Sequence, residues 1–168
     1  VFTAHWSVKN PLLSIISPFM KPRKNPFNTI PSATPFHSET SYVETVFRDF
    51  AVDFERFTEL FPVFQLRENT KIGHLSGGMH RLAELYVIIK SDTKFVLLDE
   101  PFTHISPVQI ETIQSVIGEE RPRKGFLITD HLFKRIQESC NRVYLLSNGK
   151  THTVENDGDL KKLGYIMS

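Results

Sequence analysis

The chain has 168 residues, 40% hydrophobic and 23% charged, the composition of a globular chain of soluble type long enough for one ordinary domain. A net charge of +1 supplies neither the basic excess that would point to nucleic acid nor the excess that would bind an anionic membrane surface, and the single cysteine, Cys140, excludes an internal disulfide and fits a reducing compartment. No apolar run reaches the length of a membrane span, and Pro11 and Pro18 interrupt the stretches a signal peptide would need, so any work at a membrane requires spans from a partner.

Residues 1–40 read as an irregular, Pro-rich segment. The first 36 residues hold six prolines, no acidic residue precedes Glu39, and no glycine precedes Gly73. Lys9, Lys21, Arg23 and Lys24 are too dispersed to make a nucleic-acid arm, and a solvated loop accounts for them.

Helical patterning starts at Ser41, where Glu44 three residues on predicts a capping box. Phe47, Phe50, Phe54, Phe57, Phe61 and Phe64 follow at three- and four-residue steps, one face of one or two short helices ended by Pro62. Such a stripe is ordinarily core, and a docking surface is the alternative. Met79, Leu82, Leu85, Tyr86 and Ile89 then mark an amphipathic helix, with His80, Arg81 and Glu84 on its other faces. Residues 41–92 form a helical subdomain on this reading.

Residues 93–168 alternate strands and helices. The apolar run Phe95–Leu98 predicts a strand buried on both faces. Ser106, Pro107 and Gln109 predict a capped helix start, with Ile105 and Ile110 as its hydrophobic staple. A second strand covers Phe126–Thr129, and Leu132, Ile136 and Cys140 mark a further helix, in which Cys140 reads as a small core residue. Val143–Leu146 and Thr151–Val154 flank the turn dipeptide Asn148-Gly149. The pattern predicts an α/β fold with a mostly parallel sheet covered by helices.

Open parallel sheets bind ligands at the carboxyl ends of their strands. Two strands here end in polar groups: one in Asp99 and Glu100, the other in Asp130 and His131. Asp99 is a hard oxygen donor suited to magnesium on a phosphate, Glu100 could polarise an attacking water, and His131 could hydrogen-bond a terminal phosphate. Each alone is explicable as ordinary structure. So is Leu75-Ser76-Gly77-Gly78, a turn and N-cap before the next helix, although two glycines and free helix amides also suit an anion.

Order and spacing add specificity. LSGG, an amphipathic helix, FVLLDEP and then LITDH resembles the signature, Walker B and switch-histidine region of an ATP-binding cassette (ABC) ATPase, over about residues 71–150. DEPF and LITDH look more like transporter cassettes than the DNA-repair branch. The resemblance implies a partial P-loop NTPase-like fold, ATP and Mg2+ as ligands, and a dimer with a second nucleotide-binding subunit. It also implies membrane-spanning transporter subunits and a cytoplasmic location at the face of the membrane, while the near-neutral charge gives no support to a nucleic-acid partner. It implies that Ser76, Gly77 and Gly78 close over the γ-phosphate of the partner's ATP. Asp99 matches the magnesium ligand, Glu100 the general base, and His131 the residue contacting the γ-phosphate.

The chain also departs from that family. No GxxxxGK[ST] phosphate loop is present, PSATPF at Pro31–Phe36 stands where a glutamine loop is due, and Ser106 replaces the aspartate usual after Walker B. Because Val1 is not methionine and the other motifs are intact, the expectation is the C-terminal part of a longer cassette with its phosphate loop upstream of Val1. A degenerate partner module lending its signature motif to a complete subunit is the alternative, and a non-transport ABC ATPase a third. The 168 residues alone are expected to be inactive.

Overall fold

A computed structural model describes residues 39–130, 137–147, 150–162 and 164. The first helix among the described residues, α1 (Val43–Asp49), starts at Tyr42 and not in a capping box at Ser41. Its first amides are satisfied from across the chain: Val43 N donates to Thr70 O at 3.0 Å and Glu44 N to Glu68 O at 3.2 Å. Tyr42 bridges Lys71, and Ile72 N donates to Ser41 O at 2.8 Å. With its orphan amides taken by the 68–70 segment, the helix has no use for a side-chain cap.

The chain turns through Asp53, whose carboxylate caps α2 (Phe54–Leu60) by accepting from Arg56 N at 3.0 Å. Pro62 follows and opens a 3-10 turn that buries Phe64. The phenylalanine stripe is core. Phe57 sits at its centre, with ring centroids 4.5 Å from Phe64, 4.7 Å from Phe47 and 4.9 Å from Tyr86. Tyr86 comes from α3 (Gly77–Lys90), and its phenol, driven by burial, is pushed up to about 12. The stripe thus fastens α1 and α2 to α3.

Along α3, Leu82, Leu85, Tyr86 and Ile89 are buried at the predicted spacing. After it come β1 (Phe95–Asp99), α4 (Pro107–Glu120) and β2 (Gly125–Thr129). The Ser106–Gln109 capping box is present in both directions, and Ile105 and Ile110 are both buried. β1 and β2 pair in parallel with Phe95 opposite Gly125 and Asp99 opposite Thr129. The right sequence order for this is strand, crossover helix, strand. β1 is not buried on both faces among the described residues: Val96 and Leu98 are buried, while Phe95 is 59% exposed. One face of the strand joins the core that α3 and α4 share. On the other face Leu97 is half-buried.

β3 (Val143–Ser147) and β4 (Lys150–Val154) form an antiparallel hairpin that is a sheet of its own among the described residues. Ser147 pairs with Lys150, the register a two-residue loop produces, while Asn148 and Gly149 lie outside the described residues. The same holds for Leu132 and Ile136 of the expected helix; residues 137–139 are helical and Cys140, half-buried, follows them. The chain continues into α5 (Asp157–Lys162). Among the described residues, no helix is long and apolar enough to cross a membrane.

An ion cluster closes the end of the α3–α4 pair. The Glu120 side chain is 1% exposed and meets Lys90 at 2.8 Å, Arg123 at 2.7 Å and Lys124 at 3.3 Å. Lys124 also donates to the carbonyls of Ile89 and Ser91, both at 2.6 Å. Burial pushes the Glu120 carboxyl up, but the surrounding ammonium groups of Lys90 and Lys124 outweigh it, and its pKa lies below the ordinary value.

Candidate functional site

Ser76 stands in extended conformation before α3 and caps it, its Oγ accepting from Met79 N at 3.3 Å. A hydroxyl that accepts one bond still has a proton to donate, so capping leaves the donor available. Ser76 and Gly77 are exposed at the open end of a fourteen-residue helix, where amides and dipole favour an anion. The two glycines have different reasons to be glycine. A Cβ on Gly78 would sit 2.8 Å from His104 O, so the turn after β1 approaches too closely for any side chain. A Cβ on Gly77 would meet nothing within 4 Å, and no neighbour in the described chain requires glycine there. Gly78→Ala is therefore expected to cost about 1–3 kcal/mol of stability by overpacking against backbone. Gly77→Ala, in a urea melt run alongside, should leave stability unchanged or slightly raised; equal losses for both variants would refute the distinction.

The second edge lies at the carboxyl ends of β1 and β2. The register brings Asp99 beside Thr129, whose hydroxyl donates to Asp99 Oδ1. Glu100 N donates to Thr129 O at 2.7 Å, so the ladder continues one residue past β1 and places the Glu100 side chain, which is exposed, at the sheet's edge. Glu100 has φ +44°, left-handed for a residue with a side chain, and His104 has φ +64°. They bracket the turn that Gly78 accommodates. Asp130 follows directly on β2, and His131 lies outside the described residues.

The two edges are joined by a residue that sequence reasoning placed only on a polar helix face. Arg81 Nη2 donates to Asp99 O at 2.9 Å and to Glu100 O at 3.1 Å, and Nη1 meets Glu84 Oε2 at 3.0 Å. The Arg81–Glu84 spacing of three was visible beforehand; its reach to residues 18 and 19 further on was not. Thr129, at the end of an otherwise apolar strand, was a similar missed signal. Among the described residues no group of three or more His, Cys, Asp or Glu could hold a metal ion. Asp99 with Thr129 suits magnesium only in company with a ligand's own oxygens, as is usual for that ion.

The chain is similar to known proteins over much of its length. Residues of this chain are 35% identical over 117 positions to the lipopolysaccharide export system ATP-binding protein LptB of Haemophilus influenzae, covering 65% of this chain and 48% of that protein. LptB of Acidithiobacillus ferridurans is 41% identical over 102 residues, covering 59% and 42%. Over the matched residues the chain is similar to part of an ABC ATPase. ABC transporter A family member 11 of Dictyostelium discoideum is a third relative, 33% identical over 94 residues, 56% of this chain and 11% of that one. The ABC fold is seen too in the structure of an ATP binding subunit of an ABC transporter, at TM-score 0.59 and 19% identity, over 76% of this chain and 58% of that one. No protein-family model matches the chain. The chain spans about half the length, or less, of the curated relatives it matches, so the likeness is to part of an ABC ATPase.

Proposed function

We propose that these residues are the signature and Walker B part of the ATP-binding subunit of a transporter, whose phosphate loop lies in sequence outside the 168 residues. The observation that carries this is the pairing of Asp99 with Thr129, with Glu100 one residue beyond on the same exposed edge. There Asp99 would hold magnesium, which when bound would supply charge stabilisation for the nucleotide's phosphates. Glu100 takes a proton from water as the water oxygen bonds to the γ-phosphorus and the bond to the ADP oxygen breaks. His131 donates to the γ-phosphate. Ser76, Gly77 and Gly78 serve a different nucleotide, held by a second subunit and met across a sandwich dimer. The helical part, 41–92, and the α/β part, 93–168, act as its two subdomains. Membrane-spanning subunits carry the cargo, with this chain at the cytoplasmic face. One relative's name gives lipopolysaccharide export and another's gives a transporter with no cargo, so ATP-driven transport is the extent of the reading.

A second reading has its own support, since the chain contains no glycine before Gly73 and hence no phosphate loop. On it, the chain lends Ser76–Gly78 to a complete partner and hydrolyses nothing itself. Calorimetric titration with magnesium–ATP separates the outcomes. The 168 residues alone are expected to bind weakly or not at all, and joined to an N-terminal half bearing a phosphate loop they should bind in the micromolar range. Micromolar, magnesium-dependent binding to the chain alone would overturn the first reading. A full reading frame without the loop would leave the second.

A further inference from the structure

We infer that Arg81 is a positioning residue for Glu100, holding the Walker B glutamate's backbone in the conformation that aims its carboxylate and making that conformation depend on the signature helix. The inference rests on the assignment of Glu100 as the base, and deepens it. Glu100 combines two unfavourable circumstances. It is a left-handed residue with a side chain, at φ +44°, and it precedes Pro101, whose ring favours extended backbone in the residue before it. Left to itself this residue would take another conformation, so its surroundings must impose the observed one.

The Glu100 amide donates to Thr129 O on β2, which fixes one side. On the other side its carbonyl accepts from Thr103 N at 3.3 Å, a long bond within the turn, and from Arg81 Nη2 at 3.1 Å. The same guanidinium nitrogen holds the Asp99 carbonyl at 2.9 Å. The consecutive carbonyls before and after the Glu100 residue are therefore turned toward one charged group. Charge-assisted bonds of this kind are stronger than neutral ones. The guanidinium is itself fixed: its side chain is 18% exposed, and Glu84, one turn along, holds Nη1. Arg81 lies one turn beyond Gly77 on α3, and Gly78 packs on the same turn through His104 O. Any displacement of the signature end of α3 is thus delivered to both carbonyls that flank Glu100.

Hydrogen exchange followed at single amides in the full chain tests this without nucleotide. In Arg81→Met, which keeps an apolar stem in place of the guanidinium, the Glu100 and Thr103 amides should exchange at least about tenfold faster. The buried amides of α3 and α4 should keep their protection. Arg81→Lys, able to reach one carbonyl but not to hold Glu84 as well, should fall between. In an assembly that hydrolyses ATP, Arg81→Met should lower kcat about tenfold or more with KM for ATP nearly unchanged, and Arg81→Lys should recover part of it. Unchanged protection at Glu100 and Thr103 in Arg81→Met overturns the proposal, as does a rise in KM without loss of kcat. Faster exchange together with a wild-type assembly that never turns over ATP would upset the assignment of Glu100 as base and leave the positioning of its backbone standing.

Discussion

Glu120→Gln should lower the unfolding free energy by about 3 kcal/mol at neutral pH, the lower end of the range for breaking a buried ion pair. The lower end applies because Lys90 and Arg123 keep contact with water, at 25% and 70% exposure, whereas Lys124 at 6% does not. The amide would leave Lys124 in a buried site without its counter-charge, still donating to the Ile89 and Ser91 carbonyls. The sign of the pH dependence follows from the lowered pKa of Glu120 in the folded chain. A carboxyl whose pKa is depressed on folding contributes stability in full above its unfolded pKa, and that contribution is lost as pH falls through the folded value. The difference between wild type and Glu120→Gln should therefore be full at neutral pH and narrow in acid below the ordinary carboxylate range. Urea melts at several pH values would measure it. A gap that widened on acidification would show that the cluster is not held by the ionised carboxyl.

The second large effect is expected at Glu100. In an assembly where this chain's own edge faces a bound nucleotide, Glu100→Gln should reduce ATP turnover by about 10²- to 10⁴-fold, the contribution of a general base. Nucleotide binding should persist, because the amide matches the carboxylate in size and leaves the bonds of the Glu100 amide and carbonyl in place. Only the proton acceptor is removed. Single-turnover measurement with bound ATP reads the chemical step directly. Undiminished hydrolysis in Glu100→Gln, with the signature of this chain still required, would assign it the lending role alone.

Much of the site could be read from the chain as a string. LSGG, DEP and TDH are contiguous, and the elements that carry them obey local rules. The Ser106–Gln109 box joins residues three apart, and the period of α3 sets its buried face. Both depend on neighbours in sequence, so both appear in the folded chain where the pattern placed them. The residue types at positions 76–78, 99 and 100 were likewise legible, while His131 lies outside the described residues.

What failed in the string failed for the complementary reason. Ser41 and Glu44 satisfy the same local rule as Ser106 and Gln109, yet no box forms, because carbonyls at Glu68 and Thr70 reach the α1 amides first. The apolar run of β1 says that it is buried but not how evenly, and Phe95 is 59% exposed where Val96 and Leu98 are buried. The difference between Gly77 and Gly78 is invisible in GG and lies in the approach of His104 O to one of them. Above all, the bonds from Arg81 to the Asp99 and Glu100 carbonyls cross from helix to strand. Residue identity, periodicity and capping by near neighbours were therefore determined by the sequence itself. The sharing of hydrogen-bonding groups between distant segments, and with it the backbone of Glu100, was decided only when tertiary packing brought α3 against the end of β1, since a bond between segments far apart in the chain leaves no periodic trace in either.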